Sequence, residues 1–187
     1  FKKRTLSLKV EDEHIFGIKK LQHKFVGDNR RVAHILGSGA SINETLKLIS
    51  ETDFVVSFNY SGSLRVRSDL YLFEFGRYAQ IDTSFKHLSI ALNVIETDGG
   101  LALFKHFASG SNDTLYLNKN IANKIPLLKE YPAKIINENK LSQFIEMVLD
   151  DKSDFIIQFC STTIVAVLIL YRLGFKEIVL HGVDFGG

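Results

Sequence analysis

The sequence predicts an α/β protein with a mostly parallel sheet flanked by helices, and three observations carry that prediction. Short apolar runs alternate with longer amphipathic segments along the chain. The stretch "VAHILGSGASINETLKLI", residues 32–49, passes from an apolar run through Gly37-Ser38-Gly39 into apolar residues at helical spacing. Towards the other end, "TTIVAVLILYRLGFKEIVLHGVDF", residues 162–185, reads as a helix, a glycine stop and a strand.

Taken in order, the first expected element is a strand over Leu6–Val10, within a basic leader. Residues 32–36 form a buried strand and 42–49 a helix, with Ser41 as cap and Glu44 three residues later completing a capping box. Residues 53–59 make the second strand of the domain and 68–75 the third, while 87–95 and 113–118 read as further strands. The segment 139–151 has apolar residues at 141, 144, 145, 148 and 149, a helical face. Thr162–Leu173 is apolar all round, and Leu173-Gly174-Phe175 closes it as a helix would close. A helix apolar on every side is expected in the middle of the structure. Pro126 and Pro132 are expected to bracket a loop near the rim.

With 187 residues and 45% hydrophobic content, one well-buried domain is expected. The division expected is a basic extension over 1–31 and a Rossmann-like domain over 32–187, cut short at its carboxyl end. Net charge is only +2, which argues against a nucleic-acid partner. Nine Lys/Arg against four Asp/Glu fall within residues 1–31, leaving fourteen against seventeen elsewhere. That stretch reads as a solvated appendage, with peripheral docking to an anionic membrane surface as the sharper alternative. Cys160 is the single cysteine and has no internal partner, in keeping with a reducing, cytoplasmic setting. The longest apolar run, Ile164–Tyr171, is far short of the ~20 residues of a membrane-spanning helix.

A strand turning into a helix through glycines lets backbone approach a ligand, and the helix's first amides favour an anion. Phosphate is the ligand expected there. A dinucleotide fingerprint would need a glycine where Ile42 stands and an acidic residue at the second strand's tip, where Asn59 stands. The Gly-Lys-Ser/Thr of a nucleoside-triphosphate loop is absent as well. Asn59 is a neutral amide that donates and accepts, suited to a pyrimidine edge or a ribose hydroxyl. If the strands are parallel, Ser38, Asn59, Glu74 and Asp184 face one crevice at their carboxyl ends. The histidines offer no metal-ligand spacing. His87 and His106 lack a carboxylate at recognisable spacing, His34 lies inside a strand, and His181 lies near enough to the carboxyl edge to reach the crevice. Ser161, Thr162 and Thr163 lack a His/Asp relay of the hydrolase kind.

Three blocks resemble the bacterial lipooligosaccharide sialyltransferases of glycosyltransferase family 42. "ILGSGAS" is similar to that family's opening strand and Gly-Asn-Gly-Pro-Ser turn, and "DFVVSFN" to its second strand, which ends in a nucleotide-contacting asparagine. "STTIVAVLILYRLGFKEIVLHGVDF" resembles its Thr-Ser-Gly segment, helix, Leu-Gly-Tyr-Lys-Glu-Ile bend and Gly-Ile-Asp-Phe strand end. The resemblance covers about a third of the chain. It implies a single GT-A-like Rossmann domain that transfers sialic acid, or a related nonulosonic sugar, from a cytidine monophosphate (CMP) donor to a glycan hydroxyl. It implies inversion, no metal or other cofactor, homo-oligomers and attachment to the inner membrane face. No Asp-x-Asp motif is present, in keeping with a monophosphate leaving group stabilised by hydrogen-bond donors.

By position, the resemblance has Gly37, Ser38 and Gly39 line the phosphate and ribose, with Ser41 behind them, and Asn59 hold the ribose or cytosine. Ser161, Thr162 and Thr163 fall in the loop that touches the donor's carboxylate and phosphate, and Asp184 shapes the crevice. Glu74 stands where the family has a second asparagine, and Phe159 where it has an arginine. The family's base, a histidine, and its two tyrosines follow the Gly-Ile-Asp-Phe block, so the base falls outside these residues and Gly186 takes the first tyrosine's place. Two other readings stay open, the first of which shares the glycine turn and the Gly-x-Asp-Phe ending. One is a motility-factor or pterin-pyrophosphokinase-like enzyme that uses ATP and a metal. The other is a relative that keeps the nucleotide fold without turnover.

Overall fold

The computed structural model describes residues 14–26, 30, 32–74, 81–105, 124–132, 146, 150–158 and 161–183, the side chains of 81–84, 131–132 and 158 excepted. The strands are β1 (Ile15–Phe16), β2 (Val32–Leu36), β3 (Phe54–Phe58), β4 (Leu70–Phe73), β5 (Leu101–Phe104), β6 (Leu127–Leu128), β7 (Glu130–Pro132), β8 (Ile156–Gln158) and β9 (Glu177–His181). The α-helices are α1 (Ile18–Lys24), α2 (Ile42–Thr45), α3 (Ile81–Asn93) and α4 (Thr162–Leu173).

Seven strands form one sheet in the order β1-β6-β5-β4-β3-β2-β9, and every described pairing in it is parallel. The sheet therefore grows from β2 through β3, β4 and β5 to one side, and β9 returns to the other side of β2. Between β2 and β9 the strand order reverses, the place where open α/β sheets form their crevice. This is a Rossmann-like α/β fold. A separate parallel pair joins β7 to β8.

Side chains alternate across the strands, so each strand feeds two cores. Leu70 and Leu72 face a core shared with Ala33, Ile35, Phe54 and Val56, closed by Ile18 and Leu21 of α1 and by Val165, Ala166, Ile169 and Leu170 of α4. Tyr71 and Phe73 face the opposite core, closed by Leu88, Ala91 and Val94. Leu36 and Val55 pack under Ile42 of α2 in a third, smaller cluster. Ile18 and Leu21 belong to the basic stretch, so residues 15–24 are built into the fold rather than solvated around it.

Several local expectations are corrected. Residues 87–95 are not a strand: they belong to α3 and to the π-turn that follows over Val94–Asp98. Apolar residues at 88, 90, 92 and 94 mimic strand alternation, yet burial falls at 87, 88, 91 and 94, the spacing of a helix. The helix expected over 42–49 is one α-turn, Ile42–Thr45, tightened to 3-10 over Leu46–Leu48. Its capping box does not form, because Ser41 is itself helical (φ −63°, ψ −12°) and its side chain makes no cap bond. An N-cap needs extended backbone to turn its oxygen onto the helix amides.

The third strand is shorter than 68–75, and the prolines expected to bracket a loop flank two short strands, β6 and β7. Helix α4 ends as expected: Gly174 is left-handed (φ 92°), Phe175 N–H donates to Leu170 O, and Gly174 N–H donates to Tyr171 O. It is not buried all round, since Ile164 and Tyr171 are exposed. The strands expected at 6–10 and 113–118 lie outside the described residues, as does the helix expected at 139–151 except at isolated positions.

Candidate functional site

At the carboxyl edge the glycine turn is explained first by a neighbour. Gly37 N–H donates to His181 O (2.7 Å) and Gly39 N–H to Gly182 O (2.8 Å), so the exit of β2 is bonded to the exit of β9. A Cβ on Gly37 would collide with the Gly182 carbonyl, and Gly182 is left-handed (φ 59°) with Ile42 and Gly39 against it. These glycines let two backbones touch. Two of the turn's amides are thereby committed inside the fold, while Ser38, Ala40 and Ser41 are exposed.

One strand along, Asn59 ends β3 with φ 52°, the one left-handed non-glycine among the described residues. Asparagine tolerates this region better than most residues, but a strand tip held there marks backbone fixed by its surroundings. Tyr71 Oη donates to Asn59 O (2.9 Å). Burial, reinforced by nearby Tyr60, pushes the Tyr71 phenol well above its ordinary value, so it remains a protonated donor. Ser61 fastens the same turn: its hydroxyl lies 2.5 Å from Leu36 O and accepts from Phe58 N–H. The tips of β2, β3 and β4 are thus tied together under Asn59.

The next two strands supply charge. Glu74, just past β4, pairs through Oε2 with Lys105 Nζ at 3.2 Å, and Lys105, just past β5, also donates to Thr162 Oγ1 at 3.1 Å. Lys105 is 1% exposed. Thr162 opens α4, with Ser161 as its extended cap residue (φ −95°, ψ 119°) and Thr163 half-buried beside it. His87 of α3 lies edge-on to Tyr60, ring centroids 5.0 Å apart, and next to Glu74. Burial lowers its pKa; the Glu74 backbone and carboxylate pull the other way without overcoming that.

Of the residues the sequence marks, Gly37, Ser38, Gly39, Ser41, Asn59, Glu74, Ser161, Thr162 and Thr163 all stand at this carboxyl edge, and Asp184 lies outside the described residues. The tips from β2 to β5 span three strand spacings, about 14 Å. Glu74 and Thr162 meet directly through Lys105, which sequence reasoning missed. The only signal was a lysine closing the buried run "LALFK". His87 also gains a carboxylate neighbour that spacing alone did not show.

His181 does not reach the crevice. It is 1% exposed, and its Nε2 lies 2.8 Å from His34 Nδ1. Among the described residues no three His, Cys, Asp or Glu side chains are grouped to hold a metal ion, and no helix is long and apolar enough to cross a membrane. A cavity of about 710 Å³ lies at the start of β3, between Leu46, Ile49, Asp53, Val55, Arg65 and Val66, and contains none of the marked residues.

What the fold and site define together is a Rossmann-like sheet whose carboxyl edge collects a neutral amide, hydroxyls and one buried ammonium. No protein-family model, no curated protein and no solved structure matches the chain.

Proposed function

We propose that the protein is a glycosyltransferase that binds a CMP-activated sialic acid, or a related nonulosonic sugar, at the carboxyl edge of its sheet. The sugar passes with inversion, and without a metal, to a glycan hydroxyl in the synthesis of cell-surface polysaccharide or lipooligosaccharide. The observation that carries the reading is Asn59, held left-handed at the tip of β3, one strand from the strand-order reversal, at the position where the resembled family contacts its nucleotide. Its amide suits a cytosine edge or a ribose hydroxyl, and exposed Ser38 lies one strand away. Thr162 and Lys105 supply donors for a monophosphate leaving group. In the transfer the new bond forms between the acceptor oxygen and the anomeric carbon. The bond to cytidylate breaks with its electron pair, which leaves on the phosphate oxygen, and the hydroxyl proton passes to a general base. The basic stretch at 1–31 suits a peripheral position on the cytoplasmic face of an anionic membrane.

Thermal unfolding with CMP at millimolar concentration tests the reading. CMP raises the melting temperature of the protein, and Asn59→Gly, which keeps the left-handed backbone but removes the amide, loses the rise while its ligand-free melting temperature stays within a few degrees. A protein indifferent to CMP but stabilised by ATP with magnesium would belong instead with the pyrophosphokinase-like reading.

A further inference from the structure

Lys105 occupies an uncommon place for a charge, at the end of the buried strand β5 and almost wholly removed from water. An ammonium has three donors. Among the described residues two are spent, on Glu74 and Thr162, and one remains. Because Thr162 Oγ1 accepts from Lys105, the hydroxyl's own proton is directed away from the ammonium, as a second donor. The pair stands at the mouth of α4, a 12-residue helix whose opening amides carry the positive end of its dipole.

Glu74 also neighbours His87, which is 6% exposed and whose ring nitrogens make no well-aligned hydrogen bond among the described residues, although the Glu74 backbone lies close to them. The groups facing it are Glu74 from the exit of β4 and Tyr60 from the turn after β3. Glu74 therefore neighbours two groups, Lys105 and His87, each with an N–H from which its carboxylate can accept a hydrogen bond.

We infer that Lys105 and Thr162 form an anion-binding subsite in which Glu74 occupies the anion's place until a ligand phosphate or carboxylate displaces it towards His87. This deepens the CMP-sugar reading and rests on it only for the source of the anion, since cytidylate phosphate and sugar carboxylate are two ends of one donor. The role given to Glu74 is that of a built-in competitor, and the sign of its mutation distinguishes a competitor from a direct ligand contact.

Calorimetric titration of the purified protein with CMP, cytidine, N-acetylneuraminic acid and inorganic phosphate reads this out, in the wild type, Glu74→Gln and Lys105→Met. CMP binds about tenfold tighter than cytidine, the worth of one charge-assisted hydrogen bond. Glu74→Gln tightens CMP severalfold, because the competing charge is gone, and leaves cytidine unchanged. Lys105→Met erases the difference between CMP and cytidine. If the carboxylate is the anion, N-acetylneuraminic acid shows the gain in Glu74→Gln in place of CMP. Should Lys105→Met fail to fold, Glu74→Gln alone decides. Weaker or unchanged anion binding in Glu74→Gln overturns the inference while leaving a CMP-binding protein in place. Phosphate binding strengthened by Glu74→Gln without any response to CMP supports the subsite and overturns the cytidylate reading. Silence to all four ligands in wild type and Glu74→Gln overturns both.

Discussion

His34 and His181 meet nitrogen to nitrogen across β2 and β9 at 2.8 Å, so one proton can lie between them but two charges cannot be accommodated cheaply. Asp53 Oδ2 from the start of β3 lies 3.1 Å from His34 Nε2, outside hydrogen-bond alignment, while His181 Nδ1 is buried without a hydrogen-bond partner among the described residues. Burial first, and then His34, lowers the pKa of His181 below the ordinary imidazole value of 6.5. A folded-state pKa below the unfolded one means that the unfolded chain binds more protons. The stability linked to this group is therefore present above about pH 6.5 and is lost as pH falls through the folded value. Urea midpoints of the wild type should drop between pH 7.5 and 5.5, and His181→Gln should show a shallower drop. An equal slope in both would remove His181 from the acid response. The pKa of His87, lowered by burial despite Glu74, gives a dependence of the same sign, so some slope remains in the variant.

Among the elements, α4 shows how local chemistry sets an end. Gly174 has no neighbour that a Cβ would strike, so its left-handed backbone is the only reason for glycine there. Gly174→Ala should cost about 1 kcal/mol in urea unfolding, with little change in ligand response. That stop was legible in the sequence because its cause is local: one glycine, one apolar residue after it, then a strand. The parallel strands β2, β3 and β9 were legible for a similar reason, each being a short apolar run. Helix α3 was not, because Leu88, Ile90, Leu92 and Val94 alternate as a strand would, and only packing under Tyr71 and Phe73 shows that Leu88, Ala91 and Val94 form the buried face. The glycine turn was visible, but half its purpose was not. The backbone of β9 that Gly37 and Gly39 touch lies more than 140 residues further along the chain. Lys105 was hidden in the same way, since Glu74 and Thr162 are 31 and 57 positions from it.

For the molecule as a whole, the join between β2 and β9 is where the two directions of the sheet meet, and main chain continues it beyond the His34–His181 contact. Five register pairs run along it, and the Gly37 and Gly39 amides extend it past the strand ends. Gly37→Ala forces a methyl into the Gly182 carbonyl and should cost about 1–3 kcal/mol in urea unfolding. Gly99→Ala, at a left-handed glycine with open space around it, should cost about 1 kcal/mol through backbone strain alone. Equal losses in the two would mean that the seam between β2 and β9 yields more readily than its backbone contacts indicate.

Helix α4 is anchored at both ends by buried cationic side chains. Lys105 meets its first residue at the carboxyl edge, and near its last turn Arg172 donates to Ser153 Oγ and to the carbonyls of Asp151 and Ser153. Twelve residues make a rod about 18 Å long. Fixed in this way, the helix holds its threonine end at the carboxyl edge and its arginine end against the loop before β8 at a set separation.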